Sequence, residues 1–154
     1  MFLINTIGEL TGIRPHLNIL SGILSPFFDK CAPIELELKR SVVETDTVYS
    51  IPLNSLTDFE WTEIYVISGP KFPQEVEEIT GINYKKIIKD NSRQLIFTKK
   101  NEIVKEYSSF CRDFSWSRLT FGKGFHSLHN SSYVHVRKRF VADEWWLYEV
   151  VSSD

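Results

Sequence analysis

The sequence predicts an α+β domain: a mostly antiparallel sheet with one or two helices packed on it. Three observations carry that expectation. Runs with period-two alternation, or rich in β-branched and aromatic residues, recur from residue 33 to the C-terminus. Helix signals are confined to two short stretches. No internal repeat, low-complexity tract or long linker divides the 154 residues. A chain of this length can bury about 70% of its unfolded surface, so one domain over 1–154 needs no disulfide or metal staple.

The elements follow in order. An N-terminal helical segment occupies 1–30: Pro15 suits a first turn, and Leu17, Leu20, Leu24 and Phe27 recur at helical spacing, with Gly22 and Ser25-Pro26 shortening or breaking it. "PIELELKRSVVE" (33–44) alternates Ile34, Leu36 and Leu38 with Glu35, Glu37 and Lys39, the pattern of a half-buried strand. "TVYSIPL" (47–53) is extended, and Pro52 sets it at a sheet edge or at its own end. In "DFEWTEIYVISGP" (58–70), Trp61, Tyr65 and Ile67 share one face with Glu63 while Ile64 and Val66 fill the other. That describes a central strand stopped by Gly69-Pro70. "KFPQEVEEITGI" is a short helix, with Pro73 in its first turn, Val76 and Ile79 inward and Gly81 as its stop. "RQLIFTKKNEIVKEY" (93–107) is a hairpin turning at Lys99-Lys100-Asn101, and 131–151 forms a second one turning at Ala142-Asp143-Glu144. The stretch between the hairpins is irregular or short-stranded.

The net charge of −2 hides an asymmetry. Residues 1–78 hold 12 acidic and 5 basic side chains, a net of −7, and residues 79–154 hold 8 acidic and 13 basic, a net of +5. Such a dipole would steer a charged partner if the halves separate in space. Cys31 and Cys111 lack metal-type spacing and are too few for a disulfide scaffold, so reduced thiols in a cytoplasmic protein are the expectation. The apolar run "LNILSGILSPFF" (17–28) is shorter than the ~20 residues of a membrane span, and it lacks the charged start of a signal peptide. No membrane role is expected. The run is instead the first place to look for self-association, because an apolar stripe without a core seeks a partner.

Few residues suggest catalysis. His126, His129 and His135 cluster in sequence, but His-x2-His falls one residue short of helical ligand spacing, so no metal and no cofactor is expected. No nucleophile elbow surrounds a serine, and "FGKGF" (121–125) is a tight turn rather than a phosphate loop. The basic stretch "HVRKRF" (135–140) keeps two alternatives open. One is a nucleic-acid-binding module using cations and stacking aromatics. The other is a small RNA-cleaving enzyme using His129 or His135 with Arg137 or Arg139. Against both, alternation sends Arg137 and Arg139 to one face and Lys138 to the other, and a pI near 6.1 is far from that of nucleic-acid modules. A non-enzymatic binding protein is the expectation. Trp145 and Trp146, adjacent in a strand, must point to opposite faces, which puts one of them at a partner interface or in a second sheltered face.

Residues 48–107 resemble a group of small bacterial proteins. The resemblance rests on Leu53, Leu56, Phe59, Trp61, Ile64 and Tyr65, then Pro70 and a short helix, then Phe97, Ile103 and Val104 in a hairpin. The "WWLYEV" hairpin fits the same layout. The group comprises immunity proteins of contact-dependent growth inhibition and other polymorphic toxin systems, with related small lipoproteins. The lipoproteins carry a signal and a lipidated cysteine, whereas Cys31 follows "FFDK" here. The resemblance implies a protein that binds and blocks a cognate toxin domain, most simply a nuclease. No site residue carries over, since such surfaces diverge with their toxins. Nuclease domains that bind polyanions are basic, so the partner surface is expected among the N-terminal acids Glu44, Asp46, Glu75, Glu77 and Glu78.

Overall fold

Eight strands pair into two four-stranded sheets in the computed structural model, which describes residues 30–120, 123–142 and 145–154. The first sheet runs β1 (Val48–Pro52), β7 (Tyr133–Val141), β8 (Trp145–Ser153), β5 (Phe114–Ser115). The second runs β4 (Glu102–Ser109), β3 (Arg93–Lys99), β2 (Glu63–Ser68), β6 (Phe125–His129). Every pair is antiparallel except β5 with β8. Among the described residues the α-helices are α1 (Pro33–Ser41), α2 (Pro73–Thr80) and the single turn α3 (Ser117–Thr120). The class is α+β, as expected, with the strands divided between two sheets instead of one. Cys31–Asp154 form one compact unit. The Leu17–Phe28 helix and its self-contact fall outside the described residues.

Alternation along β2 and β3 builds two cores. Ile64, Val66, Leu95 and Phe97 face the first sheet and α1, joining Ile51, Val134, Val136 and Val150. Ile67 and Ile96 face the other way, onto Val76 of α2, Tyr84 and Ile88. Both faces of the β2–β3 pair are therefore dry, which is why these strands read as near-continuous apolar runs. Trp61 precedes β2 and joins Ile64 and Val66, so it does not share the Tyr65–Ile67 face. Phe97 centres the main core, with Phe59, Trp61 and Tyr107 edge-on around it at 5.1, 5.2 and 6.1 Å.

Residues 33–41 form a helix, not the expected strand. Ile34 and Leu38 satisfy period two and also the i, i+4 spacing of a helix, and local chemistry decides between them. Pro33 takes the first helical position, and the Glu35 carboxylate accepts the Ala32 backbone N–H at 2.9 Å. Lys39 and Arg40 fill the last turn. Leu36, the third apolar residue of the alternation, is left 39% exposed.

The Lys100-Asn101 turn and the Gly81 stop behave as expected, while the turns expected at 121–125 and 142–144 fall in part outside the described residues. Lys100 and Asn101 take φ of 52° and 61° to close β3 to β4, and Gly81 caps α2 at φ 71°. Gly69 is required for space: a Cβ there would sit 2.0 Å from the Lys89 carbonyl oxygen. Gly69 also donates its N–H to Ser92 O at 2.8 Å, which fixes the approach. Gly69→Ala is expected to destabilise the fold by about 3 kcal/mol, the upper range of overpacking, read as a fall in the urea midpoint with an unchanged m-value. Among the described residues no helix is long and apolar enough to cross a membrane.

Candidate functional site

The β7–β8 hairpin outgrows its own sheet. β1 pairs with β7 only from Tyr133 to Arg137, and β5 meets β8 only at Tyr148 and Glu149. Beyond them, Val141↔Trp145, Phe140↔Trp146 and Arg139↔Leu147 form a two-stranded tongue with no flanking strand among the described residues. Phe140, Trp145 and Trp146 are 51%, 46% and 41% exposed on it.

One face of the tongue continues the core-facing row Val136–Val150. It carries Lys138, Phe140, Trp146 and Tyr148. The Phe140 and Trp146 rings meet edge to face at 4.9 Å, and Lys138 Nζ lies 4.9 Å from the Trp146 ring and 5.5 Å from Tyr148. Trp145 stands on the opposite face. The opposed pointing expected of Trp145 and Trp146 is realised, and both rings reach the surface. Phe140 stands across the turn from Trp146, and that pairing is the signal in the sequence that finds it.

The basic stretch is held inside the protein's own network. Glu149, 4% exposed, receives Arg137 Nη2 at 2.5 Å and Arg137 Nε at 3.2 Å, and Arg139 Nε lies 3.1 Å away. The cations proposed for a phosphate surface thus neutralise a buried carboxylate, and the third one covers an aromatic ring. The histidines are not brought together as a catalytic set. His126 and His129 lie in β6 of one sheet and His135 in β7 of the other. His129 Nδ1 is 2.8 Å from Ser131 Oγ, and His135 Nε2 is 2.6 Å from Asp154 Oδ1.

The five acids separate. Glu44 and Asp46 lie at the base of the tongue, where Thr45 bridges Lys138 and Asp46 N–H donates to Lys138 O at 2.8 Å. Glu75, Glu77 and Glu78 lie on α2, over the far face of the other sheet. Glu75 is drawn into its own helix, accepting Phe72 N–H at 2.7 Å, whereas Glu77 and Glu78 are exposed.

Cys31 and Cys111 are joined as a disulfide, which corrects the reduced-thiol expectation. Eighty positions separate them in the chain, so no local spacing could announce the pair. Folding α1 against the Ser109–Phe114 segment brings them together, a contact that a strand at 33–44 would not make. Beneath the sulfurs lies Glu35, fully buried. It accepts Ser109 Oγ at 2.5 Å and Trp116 Nε1 at 2.9 Å, and Arg93 Nε lies 3.2 Å from it. The two sulfurs and a Glu35 oxygen fall within 4.8 Å of one another, the start of a three-donor metal cluster. Joined sulfurs offer no thiolate, so this form is a covalent tie.

A second polar cluster tunes stability on the outer face of β3–β4. Burial opposes ionisation of Glu106, but donation from Lys86, Tyr84 and Gln94 outweighs it and holds the carboxyl below its ordinary value. Burial, aided by the Lys123 charge and opposed by a bond to the Leu119 backbone, lowers His126 as well. Both folded values lie below the unfolded ones, so both contributions are complete above the unfolded values and vanish as pH falls. His126 acts below about 6.5 and Glu106 below about 4.5. The gap in melting temperature between the wild type and Glu106→Gln is therefore expected to hold at neutral pH and to close as pH falls below about 4.5, as measured by calorimetry.

No family model, curated protein or solved structure matches this chain.

Proposed function

We propose that this chain is a protein-binding inhibitor of the immunity type, which neutralises a cognate toxin domain by docking the β7–β8 tongue onto it. The exposed Phe140–Trp145–Trp146 cluster carries the reading. Rigid aromatic side chains beside cations are what dominate binding energy at protein interfaces. A two-stranded extension can also enter a concave site that a flat sheet cannot. Glu44 and Asp46 at its base supply a charged rim, which favours rapid encounter with a basic partner.

Nucleic acid is the weaker alternative, because Arg137 and Arg139 are anchored on Glu149 and Lys138 covers Trp146. Cytoplasmic residence belongs to the proposal only with a condition. Cytosolic thiols are kept reduced, and the disulfides found there are chiefly transient or redox-sensing, so the Cys31–Cys111 bond must be able to exchange. A locked bond would place the protein in an oxidising compartment.

A pull-down with the protein encoded immediately upstream tests the reading, combined with growth of cells expressing that protein's C-terminal domain. Capture and protection, both lost in Phe140→Ser/Trp146→Ser, are expected. Capture that is indifferent to those changes would overturn the tongue as the binding surface. Failure to capture or protect would overturn the immunity reading itself.

A further inference from the structure

We propose that Cys31–Cys111 is an exchanging thiol–disulfide site, in which Cys31 is the sulfur attacked by an incoming thiolate and the Lys39–Asp113 pair handles the charge and the proton. This inference does not depend on the toxin-binding proposal. A bond serving only as a staple has no need of charged neighbours, yet this one has two. Lys39 Nζ lies 4.0 Å from Cys31 Sγ and 2.5 Å from Asp113 Oδ2. Asp113 Oδ1 lies 3.3 Å from Cys111 Sγ and 3.9 Å from Cys31 Sγ. One carboxylate therefore spans both sulfurs and the ammonium.

The two cysteines are not equivalent. Cys31 is partly exposed and directly precedes Ala32, the N-cap of the nine-residue α1. Cys111 is 4% exposed and faces Asp113. A cation and a helix N-terminus favour a thiolate, and access decides which sulfur is attacked. Both criteria select Cys31.

The chemistry balances with a dithiol reductant of the thioredoxin class. Its thiolate attacks Cys31 Sγ, a mixed disulfide forms, the Sγ–Sγ bond breaks and its electron pair leaves on Cys111 Sγ. Asp113 relays a solvent proton to that sulfur, which prevents a thiolate from facing a carboxylate in a buried site. The reductant's second thiolate then attacks its own sulfur in the mixed disulfide and releases Cys31 as a thiolate beside Lys39. The reductant is oxidised to its disulfide and the protein is reduced by two electrons.

The test uses the full chain without denaturant. Thiols are trapped by an alkylating maleimide at timed intervals after addition of reduced thioredoxin, and located by peptide mass spectrometry. Both cysteines are expected to become open to labelling within minutes, and to resist it again once the protein is reoxidised before the maleimide is added. In Cys111→Ser, glutathione disulfide should cap Cys31; in Cys31→Ser, Cys111 should resist capping. Asp113→Asn should slow reduction by about a hundredfold, the low end of what a positioned proton donor contributes. It should also alter the pH–rate profile, which a merely structural change would leave in shape. A bond that opens only in denaturant, capping that prefers Cys111, or superimposable profiles for the wild type and Asp113→Asn would each overturn the proposal.

Discussion

Glu35→Ala is expected to cost about 3–5 kcal/mol of folding stability, a large share of the roughly 5–15 kcal/mol that holds an ordinary domain folded. The carboxylate is fully buried, and its oxygens gather the Ala32 N–H, the Ser109 hydroxyl, the Trp116 indole N–H and the Arg93 guanidinium. Removing it strands a mostly buried cation and leaves three donors without their acceptor. Each orphaned donor costs about 1–3 kcal/mol, and the charge costs more. It also removes the one side-chain bond at the start of α1, the carboxylate that accepts the Ala32 N–H. Glu35→Gln keeps the shape and one acceptor oxygen but loses the charge opposite Arg93, so it should fall between Glu35→Ala and the wild type. Urea denaturation of the three proteins decides the matter. A loss below about 1 kcal/mol for Glu35→Ala would mean that water takes over those donors and the network is not a keystone.

The tongue carries the second large effect. Under the proposed docking, Trp146→Ala is expected to weaken binding of the partner domain by at least about 2 kcal/mol, roughly thirtyfold, mostly through faster dissociation. The change removes the ring that packs on Phe140 and lies beneath Lys138, so the loss includes the partner contact and the tongue's own order. Global stability should barely move, since the ring is 41% exposed. Charge reversal at Glu44 and Asp46 is expected to act differently: slower association, with a difference that shrinks as salt rises, since screening at 0.15 M acts over about 8 Å. Reversal at Glu77 and Glu78, on the opposite layer, serves as the comparison. Surface plasmon resonance resolves both rates. Equal effects from the two acidic groups would mean that the Glu44–Asp46 rim has no special part in docking, and a larger effect from Glu77 and Glu78 would move the interface to α2.

The parts of the fold that were legible in the sequence are those whose signals are local. The α2 helix has a proline, a cap and a glycine stop within ten residues. The Lys100-Asn101 turn and the alternation of Ile64 and Val66 against Tyr65 and Ile67 are equally short-range. The misread helix 33–41 shows the limit: period two and i, i+4 coincide at Ile34 and Leu38, and the deciding bond, from Glu35 to the Ala32 N–H, is invisible to a hydropathy pattern. The disulfide and the Glu35 network depend on residues about 60 to 80 positions apart, which only tertiary contact joins. The tongue was half legible. Adjacent tryptophans in a strand demand two faces for their rings, but nothing local says that the flanking strands stop short of them.

The unequal pairing around β7 and β8 divides the protein by timescale. Amide protons of β2 and β3, dry on both faces and hydrogen-bonded on both edges, should exchange with solvent only when the whole domain opens. Those of residues 139–141 and 145–147 have one neighbouring strand among the described residues and should exchange through local fraying that leaves the cores untouched. A surface that can adjust its shape without loosening its scaffold is what the proposed docking requires if the partner changes faster than the fold. A substitution on the tongue can then reshape that surface while the two cores remain intact.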